Sequence, residues 1–186
     1  MNKKMVIGLI IAFLMISSIF GFVVDFAISP ETQKLKYNDF KFRFVNQQYF
    51  TKINGQEHAF IFFPGDLEYL QISPEVKALL DKPVITITYD PNSKIADNLG
   101  EAQYYFEVQL GDAKAIERAV TNNEGIDLPQ KSCADATDIG PVIELAQSNK
   151  SGIFAENNCI KILALDPSDL YQQTERVIYS ILGVMP

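Results

Sequence analysis

Three residues of this 186-residue chain could supply thiol-based chemistry. They are Cys133, Cys159 and the single histidine, His58. A cysteine beside a histidine base can act as a nucleophile, as in thiol hydrolases and transpeptidases of the cell envelope. Two cysteines in an oxidising compartment instead favour a disulfide. The choice between these chemistries depends on the side of a membrane on which the cysteines lie.

An uncharged segment near the amino terminus predicts a membrane anchor. The segment from Met5 to Val24 contains no charged side chain, and a helix of that length is about 30 Å long, enough to cross a hydrocarbon core. Lys3 and Lys4 precede it, and positive charge stays in the cytoplasm. We therefore expect residues 1–24 to be a signal anchor with the rest of the chain outside the cytoplasm. A cleaved signal peptide is the alternative, although its apolar region is normally shorter.

The remainder of the chain has the size of one domain. Residues 25–37 are polar, contain a proline, and indicate a short stalk. Residues 38–186 are numerous enough to bury a substantial core. Strands arrive in groups with helices placed irregularly between them, which is typical of an α+β domain. We expect a mainly antiparallel or mixed sheet and an amphipathic helix at the carboxyl end.

Local patterns predict the first elements of this domain. Phenylalanines at 40, 42 and 44 alternate with Lys41 and Arg43, the period of a strand with one buried face. The dipeptide Asn54-Gly55 lies between two runs of aromatic and β-branched residues, which predicts a hairpin with a type I′ turn. Ser73 precedes a proline and predicts the start of a helix.

The later elements follow from the same kinds of pattern. The sequence AQYYFEVQL at 102–110 predicts a strand, although its periodicity is ambiguous, and Asp112 predicts the start of a helix. A closing helix is predicted after Asp166, which is followed by proline. Further strands are predicted in the sequence PVITITYDP at 83–91, which its Asp-Pro turn closes, and at 141–146, 151–155 and 159–165.

With the domain outside the cytoplasm, Cys133 and Cys159 favour a disulfide. The two cysteines are 26 positions apart, and closing a loop of that length stabilises the fold by about 3.5 kcal/mol in the chain-entropy model. The alternative is a site in which Cys133 is the nucleophile and His58 its base. These three side chains alone cannot fill a structural zinc site, and the cysteine spacing excludes a C-x-x-C redox motif.

Two other patterns are candidates for binding or modification. Asp127, Asp135 and Asp138 could supply oxygen ligands to calcium, but their spacing differs from that of an EF-hand, and solvated or capping carboxylates are the simpler interpretation. Asn149 begins the sequence NKS, which satisfies the N-glycosylation sequon. We predict no metal site and no cofactor.

Charge and motif content exclude several classes of function. The chain has 16 basic and 23 acidic residues, and two of the lysines precede the anchor, so the external part is strongly acidic. Such a net charge repels nucleic-acid phosphates and anionic lipid headgroups. No phosphate-binding glycine loop and no serine-hydrolase motif is present in the sequence.

These observations favour a membrane-anchored envelope protein with a non-catalytic binding or assembly role. Its expected partners are the membrane, through the amino-terminal helix, and another envelope protein, with no nucleic acid. The alternative is an envelope hydrolase or transferase with a dispersed site that uses Cys133 and His58. A flat aromatic face would favour partner binding, whereas a cleft beside these residues would favour the enzyme.

Overall fold

The computed structural model of the chain describes residues 34–111 and 113–186. Within these ranges the chain forms nine strands and three α-helices. In chain order they are β1 (Lys34–Tyr37), β2 (Phe40–Val45), β3 (Gln48–Ile53), β4 (Gln56–Phe60), α1 (Pro74–Leu80), β5 (Val84–Tyr89), α2 (Ala96–Leu110), β6 (Ala115–Arg118), β7 (Val142–Gln147), β8 (Gly152–Glu156), β9 (Cys159–Ala164) and α3 (Pro167–Ile181). The predicted α+β class is confirmed, with two sheets in place of the one predicted.

The first sheet has the strand order β1-β2-β3-β4 and is called here the antiparallel sheet, because β2, β3 and β4 pair antiparallel. Asn54 and Gly55 form the two-residue turn between β3 and β4, with φ angles of 51° and 89°. Positive φ at both positions is what a type I′ turn requires. The predicted hairpin is therefore confirmed.

The second sheet has the order β6-β5-β7-β9-β8 and is called the mixed sheet. β6, β5, β7 and β9 pair parallel, and β8 pairs antiparallel with β9 at one edge. The isoleucines of β5 and β9 point toward the helices and are fully buried. The threonines of β5, Thr86 and Thr88, alternate with its isoleucines and are also buried, so β5 is covered on both faces.

Two predicted elements are wrong. Residues 102–110 belong to α2 rather than to a strand, and the segment after Asp112 forms β6 rather than a helix. The buried positions of α2 include Gln103 and Gln109. Gln103 donates to the carbonyls of Ile87 and Ala119 at 2.7 Å each, so it is satisfied although buried. Polar residues on the inner face and exposed Tyr and Val on the outer face conceal the helical period.

The helix α3 lies between the two sheets. Its Tyr179 ring is 4.1 Å from Phe60 and 6.3 Å from Phe42, both in the antiparallel sheet. On the other side, Gln173 donates to the carbonyl of Leu163 in β9 at 2.8 Å. Asp166 caps the helix by accepting from the Asp169 amide at 3.0 Å, as predicted. Because both sides are covered, the run 173–180 is buried throughout, a wider surface than the single face expected.

Among residues 34–111 and 113–186, no helix is long and apolar enough to cross a membrane. The predicted anchor at residues 1–24 lies outside the described residues, and so does most of the predicted stalk. The last four positions assigned to that stalk form β1.

Candidate functional site

Cys133 and Cys159 form a disulfide, as predicted. Cys133 begins a short 3₁₀ turn that is capped by Ser132, and Cys159 is the first residue of β9. The bridge therefore ties the long connection between β6 and β7 to the mixed sheet. With its sulfur in this bond, Cys133 has no thiol to act as a nucleophile.

His58 lies in β4 with its side chain turned into the core, and only 7% of the residue is exposed. Its Nδ1 lies 2.9 Å from Oε1 of Gln109. The amide nitrogen of Gln109 donates to the carbonyl of Ala59 at 2.8 Å, so Oε1 is the acceptor and His58 Nδ1 the donor. The imidazole thus fastens the edge of the antiparallel sheet to α2, and no contact joins it to Cys133.

Two of the three acidic residues considered as calcium ligands have separate structural roles. Asp135 accepts from the backbone amide and the hydroxyl of Ser132 and completes a capping box. Asp138 accepts from the side chain of Asn158 at 3.2 Å, and Asp127 is exposed. In the part of the chain that the structure describes, no cluster of three or more metal-ligating side chains is present.

Asn149, the glycosylation candidate, is exposed in the loop between β7 and β8. The hydroxyl of Ser151, the third sequon residue, donates to Asp169 Oδ1 at 2.9 Å. Use of the sequon stays a prediction.

A groove of about 700 Å³ lies beside β8. One wall is the segment 69–73 and the other is 151–154; we call it the β8 groove. Tyr69 and Phe154 line it with 63% and 48% of their surfaces exposed. It therefore combines an aromatic surface with the edge of a sheet.

The edge strand β8 has an unpaired side. β8 and β9 are joined by the two-residue turn Asn157-Asn158, so Glu156 and Cys159 form the closing hydrogen-bonded pair. By alternation, Ile153 and Ala155 occupy positions whose N–H and C=O groups point away from β9. Among the described residues, none of these four groups has a hydrogen-bond partner. They form a backbone edge open to an added strand.

Glycine at position 152 allows the Phe154 ring to lie along the strand. A Cβ on Gly152 would be 2.6 Å from Cζ of Phe154, and the φ of Gly152 is 150°. Side chains two positions apart in a strand share a face, so the ring rests on the space that a side chain at 152 would fill. Phe154 is thus held in place although half of it is exposed.

Both walls of the β8 groove are fixed to one face of α3. The Tyr69 hydroxyl donates to Gln172 at 2.5 Å, and Arg176 donates to the carbonyl of Leu70 at 2.8 Å. On the opposite wall, Ser151 is bonded to Asp169 and receives a hydrogen bond from Gln173 at 3.1 Å. Positions 169, 172, 173 and 176 have the i, i+3, i+4, i+7 spacing of a single helical face. This polar stripe fixes the positions of both walls of the groove.

A buried carboxylate joins α3 to the end of β4. Glu175 accepts from the amides of Ile61 and Phe62 at 2.7 and 2.8 Å and from the Tyr105 hydroxyl at 2.9 Å. Burial raises the pKa of Glu175 to about 7, although these three hydrogen bonds favour the ionised form. Burial also raises the pKa of Tyr105 and of Tyr179, so both hydroxyls remain protonated.

Sequence reasoning missed the β8 groove. The strand β8 and the capped helix α3 were each predicted, but no prediction covered the segment 69–72. The available signal was the set of polar residues at helical spacing within α3, because these residues contact both walls of the groove. Comparison of the chain with protein-family models, with curated proteins and with solved structures finds no match.

Proposed function

We propose that this chain is a membrane-anchored, extracytoplasmic protein of the cell envelope that binds, without catalysis, an extended segment of another envelope protein in the β8 groove. The observation that carries the proposal is the unpaired backbone edge of β8 beside a groove with fixed walls. Outward donors and acceptors recur every second residue along such an edge, which matches the backbone of any extended peptide.

The side chains of the groove support a peptide ligand with alternating apolar residues. In an added strand, every second side chain faces the same side of the sheet. Such side chains would contact Phe154 on the β8 wall of the groove. Tyr69 would contact them from the wall formed by residues 69–73. Rigid aromatic rings supply a large contact area at a low cost in conformational entropy.

The lining of the groove favours binding over catalysis. Its described residues are aromatic, aliphatic, amide, hydroxyl and glycine, with no histidine, cysteine or carboxylate among them. The alternative, a hydrolase or transferase using Cys133 and His58, has its nucleophile in a disulfide and its base bonded to Gln109.

Selection of linear peptides from a phage-displayed library on the detergent-solubilised full chain tests the proposal. We expect bound peptides to slow amide hydrogen exchange at Ile153 and Ala155. The double variant Tyr69→Ala/Phe154→Ala should weaken binding at least about tenfold, since buried aromatic anchors dominate interfaces. The matched control is Ile139→Ala, because Ile139 is an exposed apolar residue outside the groove.

A second variant separates backbone pairing from side-chain contact. Ala155→Pro removes an outward N–H while leaving the ladder between β8 and β9 intact, since proline is tolerated on the open side of an edge strand. It should abolish binding of the selected peptides with little loss of stability. Peptides that bind this variant and the double variant as tightly as the parent chain would overturn the proposal.

A further inference from the structure

The outer face of the antiparallel sheet has a charge opposite to that of the whole chain. Side chains on this face include Lys36 in β1, Lys41 and Arg43 in β2, and Lys52 in β3, all exposed. Each alternates with a residue turned toward the core, so all four point to the same side. We call this surface the basic face.

Acidic side chains offset the basic face only in part. Glu57 in β4 lies opposite Lys52 and forms an ion pair with Arg43 at 2.7 Å. Asp39 lies in the turn between β1 and β2. The guanidinium of Arg43 also lies 5.8 Å from the ring centroid of Phe50 on the same face. Basic residues around an aromatic ring are typical of protein surfaces at a lipid–water interface.

We infer that the basic face docks on an anionic lipid surface. The net negative charge of the chain does not prevent this, because at physiological ionic strength the Debye length is about 8 Å. Acidic groups on the mixed sheet lie beyond a layer of helices, and packed layers are about 10 Å apart. The lysines of the nearest layer therefore attract the anionic lipid headgroups, whereas salt screens the repulsion from the acidic groups behind them.

The position of the predicted anchor favours a membrane over a soluble acidic partner. Residues 25–33 join the anchor to β1, and a chain of that length spans at most about 30 Å. A tether of this length raises the effective concentration of lipid headgroups beside the domain. This part of the argument rests on the anchored position proposed above.

Lysine labelling of the full chain in lipid nanodiscs tests the inference. An amine-reactive reagent is applied in neutral phosphatidylcholine nanodiscs and in nanodiscs containing anionic phosphatidylglycerol. We expect labelling of Lys36, Lys41 and Lys52 to fall about threefold or more with the anionic lipid, while Lys94 and Lys150, exposed elsewhere, are unchanged. High salt should restore labelling, because it shortens the Debye length to about 3 Å at 1 M.

Charge reversal supplies the matched comparison. Lys36→Glu/Lys41→Glu should remove the lipid-dependent protection of Lys52, whereas Lys94→Glu/Lys150→Glu should preserve it. Equal labelling of Lys41 and Lys52 in the two kinds of nanodisc would overturn the inference. So would protection by soluble polyglutamate in neutral nanodiscs without protection by anionic lipid, which would identify an acidic protein as the partner.

The anchor is tested separately by the same preparation. Co-elution of the chain with neutral nanodiscs depends on the amino-terminal segment and not on the basic face. Loss of co-elution there, with association retained on anionic nanodiscs, would contradict the proposed anchor and support the basic face.

Discussion

The two sheets pack against the same helix with different kinds of side chain. The antiparallel sheet contacts α3 through aromatic rings, with Phe42 and Phe60 against Tyr179. The mixed sheet presents buried aliphatic residues such as Ile87, Ile143 and Ile160. The antiparallel sheet also has an uncovered, charged outer face, whereas a connection pinned by the disulfide lies against the outer face of the mixed sheet. The first sheet is thus stabilised by ring packing and hydrogen bonds, and the second by aliphatic packing and a covalent link.

The largest effect is expected from removing a ring of the antiparallel sheet. Phe60 is fully buried, and Phe60→Ala should lower the free energy of unfolding by about 4 kcal/mol through lost burial and a new cavity. Phe50→Ala, in the same sheet but on its outer face, is the control and should cost less than about 1 kcal/mol. Urea denaturation measures both. Similar losses for the two variants would mean that ring packing on α3 does not stabilise this sheet.

Removing the disulfide should act on the other sheet. Cys133→Ser/Cys159→Ser opens a loop of 26 residues and should lower the free energy of unfolding by about 3.5 kcal/mol in the chain-entropy model. Amide exchange should rise in residues 119–141 and at the start of β9. It should rise less in β2 and β3, whose amides are exposed only by unfolding of the whole domain. An equal rise in amide exchange in the antiparallel sheet would show that the disulfide does not stabilise the mixed sheet in particular.

The link between α3 and the antiparallel sheet should respond to pH. Glu175 has a folded-state pKa of about 7, above its ordinary value of 4.5. The folded state therefore binds the proton more tightly, and this contribution is fully present below pH 4.5 and is lost as pH rises through 7. The loss amounts to about 3 kcal/mol.

Glu175→Gln isolates this contribution, because glutamine does not titrate. The variant should be destabilised at pH 5, where it loses a hydrogen bond to a backbone amide, and less destabilised at pH 8. Guanidinium denaturation at the two pH values measures the difference. A constant gap between variant and parent would show that Glu175 does not titrate in this range.

The smallest effect is expected at the edge of the mixed sheet. Gly152→Ala places a Cβ against Phe154 at a positive φ and should cost about 1 kcal/mol. The ring must move, so affinity for peptides selected on the β8 groove should fall as well. Gly125→Ala is the control for backbone strain, because Gly125 has a φ of 75° and open space around it. If the Gly152 variant binds these peptides as tightly as the parent chain, the position of the Phe154 ring does not affect peptide binding.

The sequence predicted correctly the elements that are specified by residues adjacent to one another in the chain. Asn54-Gly55 specifies its hairpin because both positions need positive φ, and Asp166 specifies the start of α3 because its side chain caps the first turn. The disulfide followed from the count and spacing of cysteines together with an expected location. Each of these inferences uses residues close in sequence or a small number of possible pairings.

Features that depend on distant contacts could not be predicted in this way. Gln103 and Gln109 are buried because carbonyls of β4, β5 and the segment after β6 accept from them, so α2 lacked an apolar period. The basic face was hidden by the net charge, since only the pairing of strands gathers its lysines on one side. The β8 groove could not be predicted because its two walls are separated in sequence by about half the length of the domain.

The burial of α3 on both sides has a consequence for how the domain melts. Neither sheet keeps a closed core once this helix detaches, so intermediates that retain one intact layer are disfavoured. The domain should lose both layers in one transition, with the calorimetric and van't Hoff enthalpies in agreement. A destabilising substitution in either sheet would then lower the one melting temperature of the whole domain.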